Sequence, residues 1–375
     1  MKKKYGIAEF FCNLAGMRVK KRNSYLTLFL GVQVLLVMWI KKYPSFVEVY
    51  YSEGVYPYIS MSLRNLLGWI PFSIGDLLVI FFVGYCNYYI FLFLKTKFKN
   101  LHVRVIEITA LISVAHLCFY LFWGFNYFRE PLHKKLGYKN TYYSNKELIR
   151  LSNYLVLNLN RVHQEITQSD SVQVMVPHSN GEMFLLAKEG YESLALKFPE
   201  FKYKYGKAKN SLMSLVQSYI GTQGYINPFT GEAHVNRRIP RTSFPLSACH
   251  EMAHQIGYAA ENEANFIGFL AALSNKDSYF TYSAYRMATR YAIYELYTRD
   301  REEYLKILQK INKGVLKDFK ASTDFWKSYS NPFEPLIKKG YDTYLKTNKQ
   351  TEGLNSYNQV VNLLINYLKS SEPRS

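Results

Sequence analysis

The chain has 375 residues, of which 49% are hydrophobic and 17% aromatic, and its formal net charge at pH 7 is +19. This composition excludes general disorder, and the length allows a membrane region followed by a large folded domain. Because much of the positive charge flanks apolar runs and no nucleic-acid-binding module occurs, we expect a lipid bilayer as partner and no nucleic acid.

Three apolar segments precede residue 126, and each is long enough to cross a hydrocarbon core of about 30 Å as a helix. The sequence therefore predicts a basic cytoplasmic head at 1–23 and a membrane region at 24–125, with spans at 24–40, 76–94 and 105–125. The first span has no small-residue cleavage site after it, which is typical of an uncleaved signal anchor.

Short-loop charges predict the orientation of these spans. The head carries seven Lys and Arg residues and the link 95–104 carries four, whereas the longer loop 41–75 carries three. The positive-inside rule then places the head and the link in the cytoplasm of a cell with an inner (plasma) membrane. Everything after about residue 126 would be extracytoplasmic, unless the short first span fails to insert.

Two features of the membrane region have alternative interpretations. Glu107 and His116 lie in the third span, where ionisable groups are functional candidates. We expect instead that Glu107 lies at the headgroups and that His116 hydrogen-bonds a neighbouring helix. The outer-loop segment 56–75 resembles an interfacial helix anchored by Trp69.

The segment 126–375 is predicted to form one α-rich α+β domain. Apolar residues recur at helical spacing over 145–166, 276–298, 302–319 and 357–369. Strand patterns are fewer, at 172–176, 217–228 and 231–236. The small β element therefore comes shortly before the most informative part of the chain.

That part is "CHEMAHQ", in which His250, Glu251 and His254 form an H-E-x-x-H motif. A helix is predicted here, with Thr242 or Ser243 as its N-cap. Residues i and i+4 share a helix face, so the two imidazoles can bind one Zn²⁺ ion at about 2.0–2.1 Å. Glu251 can then act as general base on a metal-activated water.

A third protein ligand is expected, and two glutamates follow closely. We favour Glu261, which on a helix would share a face with small residues such as Gly268. Glu263 is the alternative third ligand, although it would share a face with apolar Leu270. Asn265, one turn after Glu261, could hydrogen-bond a ligand histidine and orient it.

The strings "HEMAHQ" and "ENEAN" resemble those of membrane-associated gluzincin peptidases, a branch of the zincin metallopeptidases. That resemblance implies a zincin-like catalytic domain at 126–375 with Glu261 as metal ligand, and Asn265 stands where those families carry an aspartate. The longer pattern "FWGFNYFREPL", "PFTGEAHVN" and "YLKTNKQTEGLNSY" is most similar to an uncharacterised bacterial family of membrane-anchored proteins with a domain of unknown function.

Further residues near the motif have weaker functional interpretations. The segment 231–236 is the best candidate for an edge strand that holds a peptide substrate by β-augmentation. His234 within it is expected to be a strand surface residue and not a ligand. Tyr282 or Tyr285 could offer a hydroxyl to an oxyanion, although we expect ordinary packing of a tyrosine-rich helix instead.

The expected function is therefore a membrane-anchored zinc-dependent metalloendopeptidase acting on a protein or peptide substrate. The alternative is a non-catalytic membrane-anchored zinc-binding sensor or scaffold, which would need the histidines but not Glu251. A metal-free helical interaction module is a third class. Neither substrate identity nor oligomeric state can be inferred from the sequence.

Overall fold

The fold was obtained as a computed structural model of the chain. The structure describes residues 6–97, 99–138, 142–348 and 359–371, with side chains from residue 21 onward. Residues 1–5 of the predicted basic head, and 349–357 of the last motif that carries the resemblance, lie outside these ranges.

Helices dominate the described chain, and a small sheet accompanies them, which confirms the α-rich prediction. The long apolar helices are α1 (Gly6–Ile40), α4 (Ile74–Lys95) and α5 (Leu101–Phe122). Between α1 and α4 lie α2 (Pro44–Phe46), a π-helix (Val47–Val55) and α3 (Tyr56–Leu67). A 3-10 helix (Gly124–Phe128) follows α5.

The remaining helices belong to the C-terminal part of the chain. They are α6 (Leu132–Lys135), α7 (Asn145–Thr167), α8 (Asn180–Lys197), a 3-10 helix (Pro199–Phe201), α9 (Ser214–Ile220), α10 (Phe244–Gln255), α11 (Glu261–Leu273), α12 (Ser278–Arg299), α13 (Arg301–Leu308), α14 (Lys313–Ser328), α15 (Glu334–Thr347) and α16 (Val360–Ser371). The strands are β1 (Lys209–Asn210), β2 (Gly224–Ile226) and β3 (Ala233–Val235).

Three helices are long and apolar enough to cross a membrane, over Lys21–Ile40, Ile74–Lys95 and Leu101–Phe122. They match the predicted spans in number and place, although the third helix ends before residue 125. Helices α1 and α5 pack side by side. His116 Nδ1 lies 2.9 Å from Gln33 Oε1 of α1, which confirms the predicted helix-to-helix hydrogen bond.

The segment predicted as an interfacial helix packs instead against the C-terminal part of the chain. The Tyr56 hydroxyl of α3 donates to the Gln255 carbonyl at 3.1 Å, and the Ser60 hydroxyl donates to the same carbonyl at 2.6 Å. These bonds satisfy one of the carbonyls left open at the end of α10. Trp69 remains 78% exposed, consistent with a side chain that faces lipid or solvent.

Hydrogen bonds between buried polar groups join the start of α4 to the small sheet. Ser73 caps α4 and its hydroxyl lies 2.6 Å from His234 Nε2. The Glu232 carboxylate accepts from the Gly75 backbone N–H at 2.6 Å, and Asp76 accepts from the Tyr225 hydroxyl. His234 is fully buried here, so its prediction as a strand surface residue is wrong.

The sheet has the order β1-β3-β2, with β3 parallel to β1 and antiparallel to β2. The central strand is therefore β3, and the prediction that 231–236 forms an edge strand is wrong. Residues 172–176 form no strand, because their backbone meets α14 instead of another strand: Val174 N–H donates to Asp318 Oδ2 at 3.4 Å. Residues 217–228 divide between the end of α9 and β2.

Most predicted helices of the C-terminal part are present, with one division. Residues 302–319 form two helices, α13 and α14, because Asn160 of α7 pairs with the chain between them. Its side-chain amide donates to the Lys310 carbonyl at 2.7 Å and its oxygen accepts from the Asn312 N–H at 2.9 Å. Helices α10 and α11 lie at the centre, packed on each other and on α8 and α12.

Candidate metal centre

Helix α10 carries the histidine pair on one face. It begins after Ser243 with Pro245 in its first turn, and Gly257, with φ +93°, follows its end. His250 and His254 are four residues apart, so both side chains project from the same face. Their Nε2 atoms lie 3.1 Å apart.

Helix α11 brings the third group to this face. A Cβ built on Gly268 of α11 would lie 3.0 Å from the His250 backbone nitrogen, a tighter contact than most Cβ atoms make, so glycine here favours the close approach of the two helices. Glu261 starts α11 and its Oε2 lies 3.2 Å from His250 Nε2 and 3.7 Å from His254 Nε2. The small residues on this face of α11 therefore allow the helix to pack closely on α10.

The three atoms form a triangle with the dimensions of a zinc ligand set. Its edges are 3.1, 3.2 and 3.7 Å, whereas ligands of a tetrahedral Zn²⁺ ion at about 2.0–2.1 Å are separated by about 3.3–3.4 Å. His250, His254 and Glu261 are the three described residues whose ligand atoms meet in this way. A divalent ion fits with its remaining position open.

The orientation of His254 is fixed by a backbone group. Its Nδ1 lies 2.7 Å from the Tyr258 carbonyl, which can only accept, so Nδ1 keeps its proton and a metal would bind at Nε2 in exchange for the proton there. The predicted role of Asn265 is different in the structure. Its side chain lies near Tyr291, and its buried Nδ2 has no hydrogen-bond partner among the described residues, so it orients neither histidine.

The electrostatics of the group favour a bound cation. Burial alone would lower the pKa of His254, but the carboxylates of Glu261 and Glu251 and the Tyr258 carbonyl raise it to about 9. Burial would likewise raise the pKa of Glu261, but His250 and His254 hold it well below its usual range. The site therefore stabilises positive charge between its three groups.

Glu251 lies near this triangle and beside strand β2. It is 4% exposed, and its Oε2 is buried with no hydrogen-bond partner in the described chain. Burial raises the pKa of Glu251 to about 7, which is the range suited to a general base. A Cβ on Gly224 would lie 2.5 Å from Glu251 Oε1, so β2 runs directly past the carboxylate.

Glu263, the alternative third ligand, lies outside the group. Its Oε1 accepts from the Leu132 backbone N–H at 2.6 Å. Burial raises the pKa of Glu263 to about 7, while Leu132 and Arg129 act to lower it. Arg129 also forms a bidentate pair with Glu48 of the π-helix and donates to the Gly257 carbonyl after α10. Glu263 therefore belongs to a structural cluster that joins the π-helix to the turn after α10.

Tyrosines near the group come from unexpected elements. The Tyr341 hydroxyl of α15 donates to Glu261 Oε1 at 2.8 Å, and the Tyr127 and Tyr344 hydroxyls lie 3.0 Å apart beside it. No motif of the sequence singles out Tyr341.

The predicted oxyanion donors, Tyr282 and Tyr285, lie elsewhere. The Tyr282 hydroxyl donates to Asp318 at 2.6 Å, and the Tyr285 ring packs on Phe269 and Tyr154.

Comparison with known families identifies the family of the chain. A family model described as "Protein of unknown function (DUF3810)" matches residues 51–365, which include the H-E-x-x-H motif, Glu261 and Tyr341. No curated protein and no solved structure matches the chain significantly.

Proposed function

The chain belongs to the DUF3810 family, described as proteins of unknown function, and from the geometry of its site we propose that it is a membrane-anchored, zinc-dependent endopeptidase. The observation that carries the proposal is the convergence of two imidazole nitrogens and one carboxylate oxygen. An unpaired buried carboxylate stands beside them. A zinc-binding sensor would need the first feature but not the second.

The donor set suits zinc. Two nitrogens and one oxygen leave a fourth position open, which is the arrangement of catalytic sites and not of closed structural ones. A zinc ion held by His250, His254 and Glu261 would supply Lewis acidity and lower the pKa of a bound water toward about 7. Tyr341, by donating to the other oxygen of Glu261, fixes which oxygen faces the histidines.

Glu251 carries the proton in this proposal. Its carboxylate accepts a proton as water attacks the carbonyl carbon of the peptide bond, and it then donates that proton to the departing amide nitrogen. The C–N bond breaks, and a carboxylic acid and an amine result. The absence of hydrogen bonds to Oε2 among the described residues leaves this oxygen available for both transfers.

Strand β2 is the corrected candidate for the substrate-binding edge. In the described sheet it pairs with β3 on one side only, and Gly224 places it beside Glu251. An extended peptide that adds to the outer edge of β2 would lie across the site with its backbone held by hydrogen bonds. The length of the strand, Gly224–Ile226, is sufficient for about one or two such pairs.

We also propose that this site faces the outside of the cell membrane. The charge distribution of the short loops supports it: with three spans and a cytoplasmic head, the chain after α5 is extracytoplasmic. The proposal is a multi-pass inner-membrane enzyme with protein or peptide substrates.

The test uses the full-length chain in detergent, because α3 caps the metal helix. Zinc content is measured by mass spectrometry, and cleavage of an unbiased peptide library is profiled with and without a chelator. We expect close to one zinc per chain and chelator-sensitive cleavage. Glu251→Gln should retain zinc and lose cleavage by about 100-fold or more, since the proton acceptor is gone.

Glu189→Gln is the matched control, since Glu189 is exposed on α8. It should retain both zinc and cleavage. Zinc binding without any Glu251-dependent cleavage would favour the sensor or scaffold, and a chain that binds no zinc would refute both.

A further inference from the structure

A cavity of about 450 Å³ lies near the metal group. Three of its lining residues connect it to the site. Gln223 precedes Gly224 of β2, Leu246 lies one helical turn before His250 on α10, and Tyr291 lies near Glu261 of α11. A substrate that passes Glu251 along β2 therefore has this cavity beside it.

Two arginines of α12 line the cavity. Arg286 and Arg290 are one turn apart, so their side chains leave the same helix face. Arg286 is 4% exposed and is held by the Ser243 hydroxyl, which accepts from its Nη1 at 3.0 Å, and by the Phe319 ring, 5.6 Å from its guanidinium carbon. Arg290 is exposed at the opening.

The positive charge of this pair is incompletely neutralised. Neither guanidinium forms an ion pair within the described ranges, and the buried Nε of Arg286 has no hydrogen-bond partner there. Burial lowers the pKa of Arg286 and the charge of Arg290 acts in the same direction, against Tyr282 and Asp318, which raise it. An anion between the guanidiniums would remove this repulsion.

The carboxylates nearby are engaged with other groups. Glu334, which also lines the cavity, pairs with Lys338. Asp318 lies behind Arg286: its carbonyl accepts from Arg286 Nη2 at 3.4 Å, and its Oδ2 accepts from the Tyr282 hydroxyl at 2.6 Å. The Asp318 charge offsets part of the charge of Arg286. Arg290 therefore leaves the cavity with a net positive charge.

We propose that this cavity is a substrate subsite that binds a carboxylate group of the peptide, held by Arg290 at the opening and Arg286 deeper inside. The proposal rests on the endopeptidase function above and adds the chemical class of substrate: a peptide with a carboxylate close to the bond that is cleaved. Planar guanidinium groups match carboxylates with two parallel hydrogen bonds, which lysine does not provide.

The walls of the cavity suit the rest of such a side chain. Tyr291, Tyr294, Trp326 and Tyr329 line it together with serine hydroxyls. Aromatic faces pack on methylene groups, and the hydroxyls supply further hydrogen-bond donors. A carboxylate could come from an acidic side chain or from the C-terminus of the peptide, and both share this chemistry.

The experiment measures binding without turnover. The full-length zinc-loaded Glu251→Gln chain in detergent is titrated with fluorescent pentapeptides that end in Glu or Gln, each as free acid and as C-terminal amide. We expect the peptides that carry the recognised carboxylate to bind about 10- to 100-fold more tightly, because a hydrogen-bonded charge is lost in the others. The difference should shrink at high salt.

Arg290→Gln should remove most of this preference while leaving zinc content unchanged, and Arg286→Lys should reduce it. Arg301→Gln is the charge-matched control, since Arg301 stacks on Tyr297 and Tyr304 outside the cavity. If the amides bind more weakly than the free acids, the recognised carboxylate is the C-terminus. If the peptides that end in Gln bind more weakly than those that end in Glu, it is the side chain.

The subsite and the endopeptidase function fail in different ways. Cleavage by the unmodified chain with no carboxylate preference, or with a preference that Arg290→Gln leaves intact, overturns the subsite alone. Carboxylate-selective binding that depends on Arg290, in a chain that cleaves nothing, overturns the endopeptidase function and supports the cavity as a carboxylate-binding site.

Discussion

Glu261 is the residue on which the metal group depends most. One of its oxygens faces His250 and His254, and the other accepts from Tyr341 of α15. Glu263, two residues later, is turned about 200° around α11 and caps the Leu132 N–H instead. Two buried glutamates on one helix turn therefore have separate positions, one in the proposed metal site and one in the packing.

This separation can be tested by metal binding. Glu261→Gln removes an anionic ligand, so zinc affinity should fall by more than about 100-fold, beyond the loss expected for an outer hydrogen-bond partner. Glu263→Gln keeps the oxygen that accepts from Leu132 and should bind zinc as the unmodified chain does. Competition with a zinc-sensitive dye measures both, and equal affinities in the two variants would reject Glu261 as the ligand.

Spacing alone was sufficient to predict the histidine pair, because i and i+4 on a helix share a face whatever surrounds them. Glu261 followed from the small residues of its face, among which Gly268 favours close helix packing. The Tyr341–Glu261 hydrogen bond depends on a contact between distant elements, and no local pattern encodes it.

At the scale of elements, β2 sets the position of Glu251, the proposed general base. The strand passes so close to α10 that a Cβ at Gly224 would meet Glu251 Oε1 at 2.5 Å and the His234 carbonyl at 2.5 Å. Strand patterns indicated the β element but not its order, since the choice of centre or edge depends on β1, which comprises only Lys209–Asn210. A two-residue strand has no periodicity to detect.

Gly224→Ala tests this placement. The added methyl group must displace the Glu251 carboxylate or the strand, so peptide cleavage should fall by about 10- to 100-fold while zinc is retained. Gly181→Ala is the control, because the nearest atom to its Cβ would be 3.9 Å away. Zinc content and thermal melting report on folding, and unchanged cleavage by a zinc-loaded Gly224→Ala chain would contradict a role for β2.

At the scale of the whole molecule, the membrane helices and the C-terminal part are joined by buried polar contacts. Ser73 meets His234, Asp76 meets Tyr225, and Tyr56 caps α10. The apolar spans were evident from composition, whereas these contacts were not, because they pair residues more than a hundred positions apart. The family match, which begins at residue 51, includes both sides of each contact.

The proposed orientation predicts the behaviour of reporter fusions. Alkaline phosphatase, which is active only outside the cytoplasm, should be active when fused after Ser375 and inactive when fused after Thr96 in the positively charged link. A fluorescent protein that matures only in the cytoplasm should show the opposite pattern. A fluorescent, phosphatase-inactive C-terminal fusion would mean that the first span does not insert and that the site faces inward.

The indole of Trp123 comes directly after α5, and its ring centroid lies 6.2 Å from that of His254. With α5 crossing the bilayer, the reaction would take place at the depth of the lipid headgroups, not at the end of a stalk. A polypeptide tethered to the same leaflet would reach that depth by lateral diffusion and at a high effective concentration, whereas a freely diffusing one would not. Within a membrane, hydrolysis should then favour bonds a few residues from a membrane anchor over the same bonds in a free peptide.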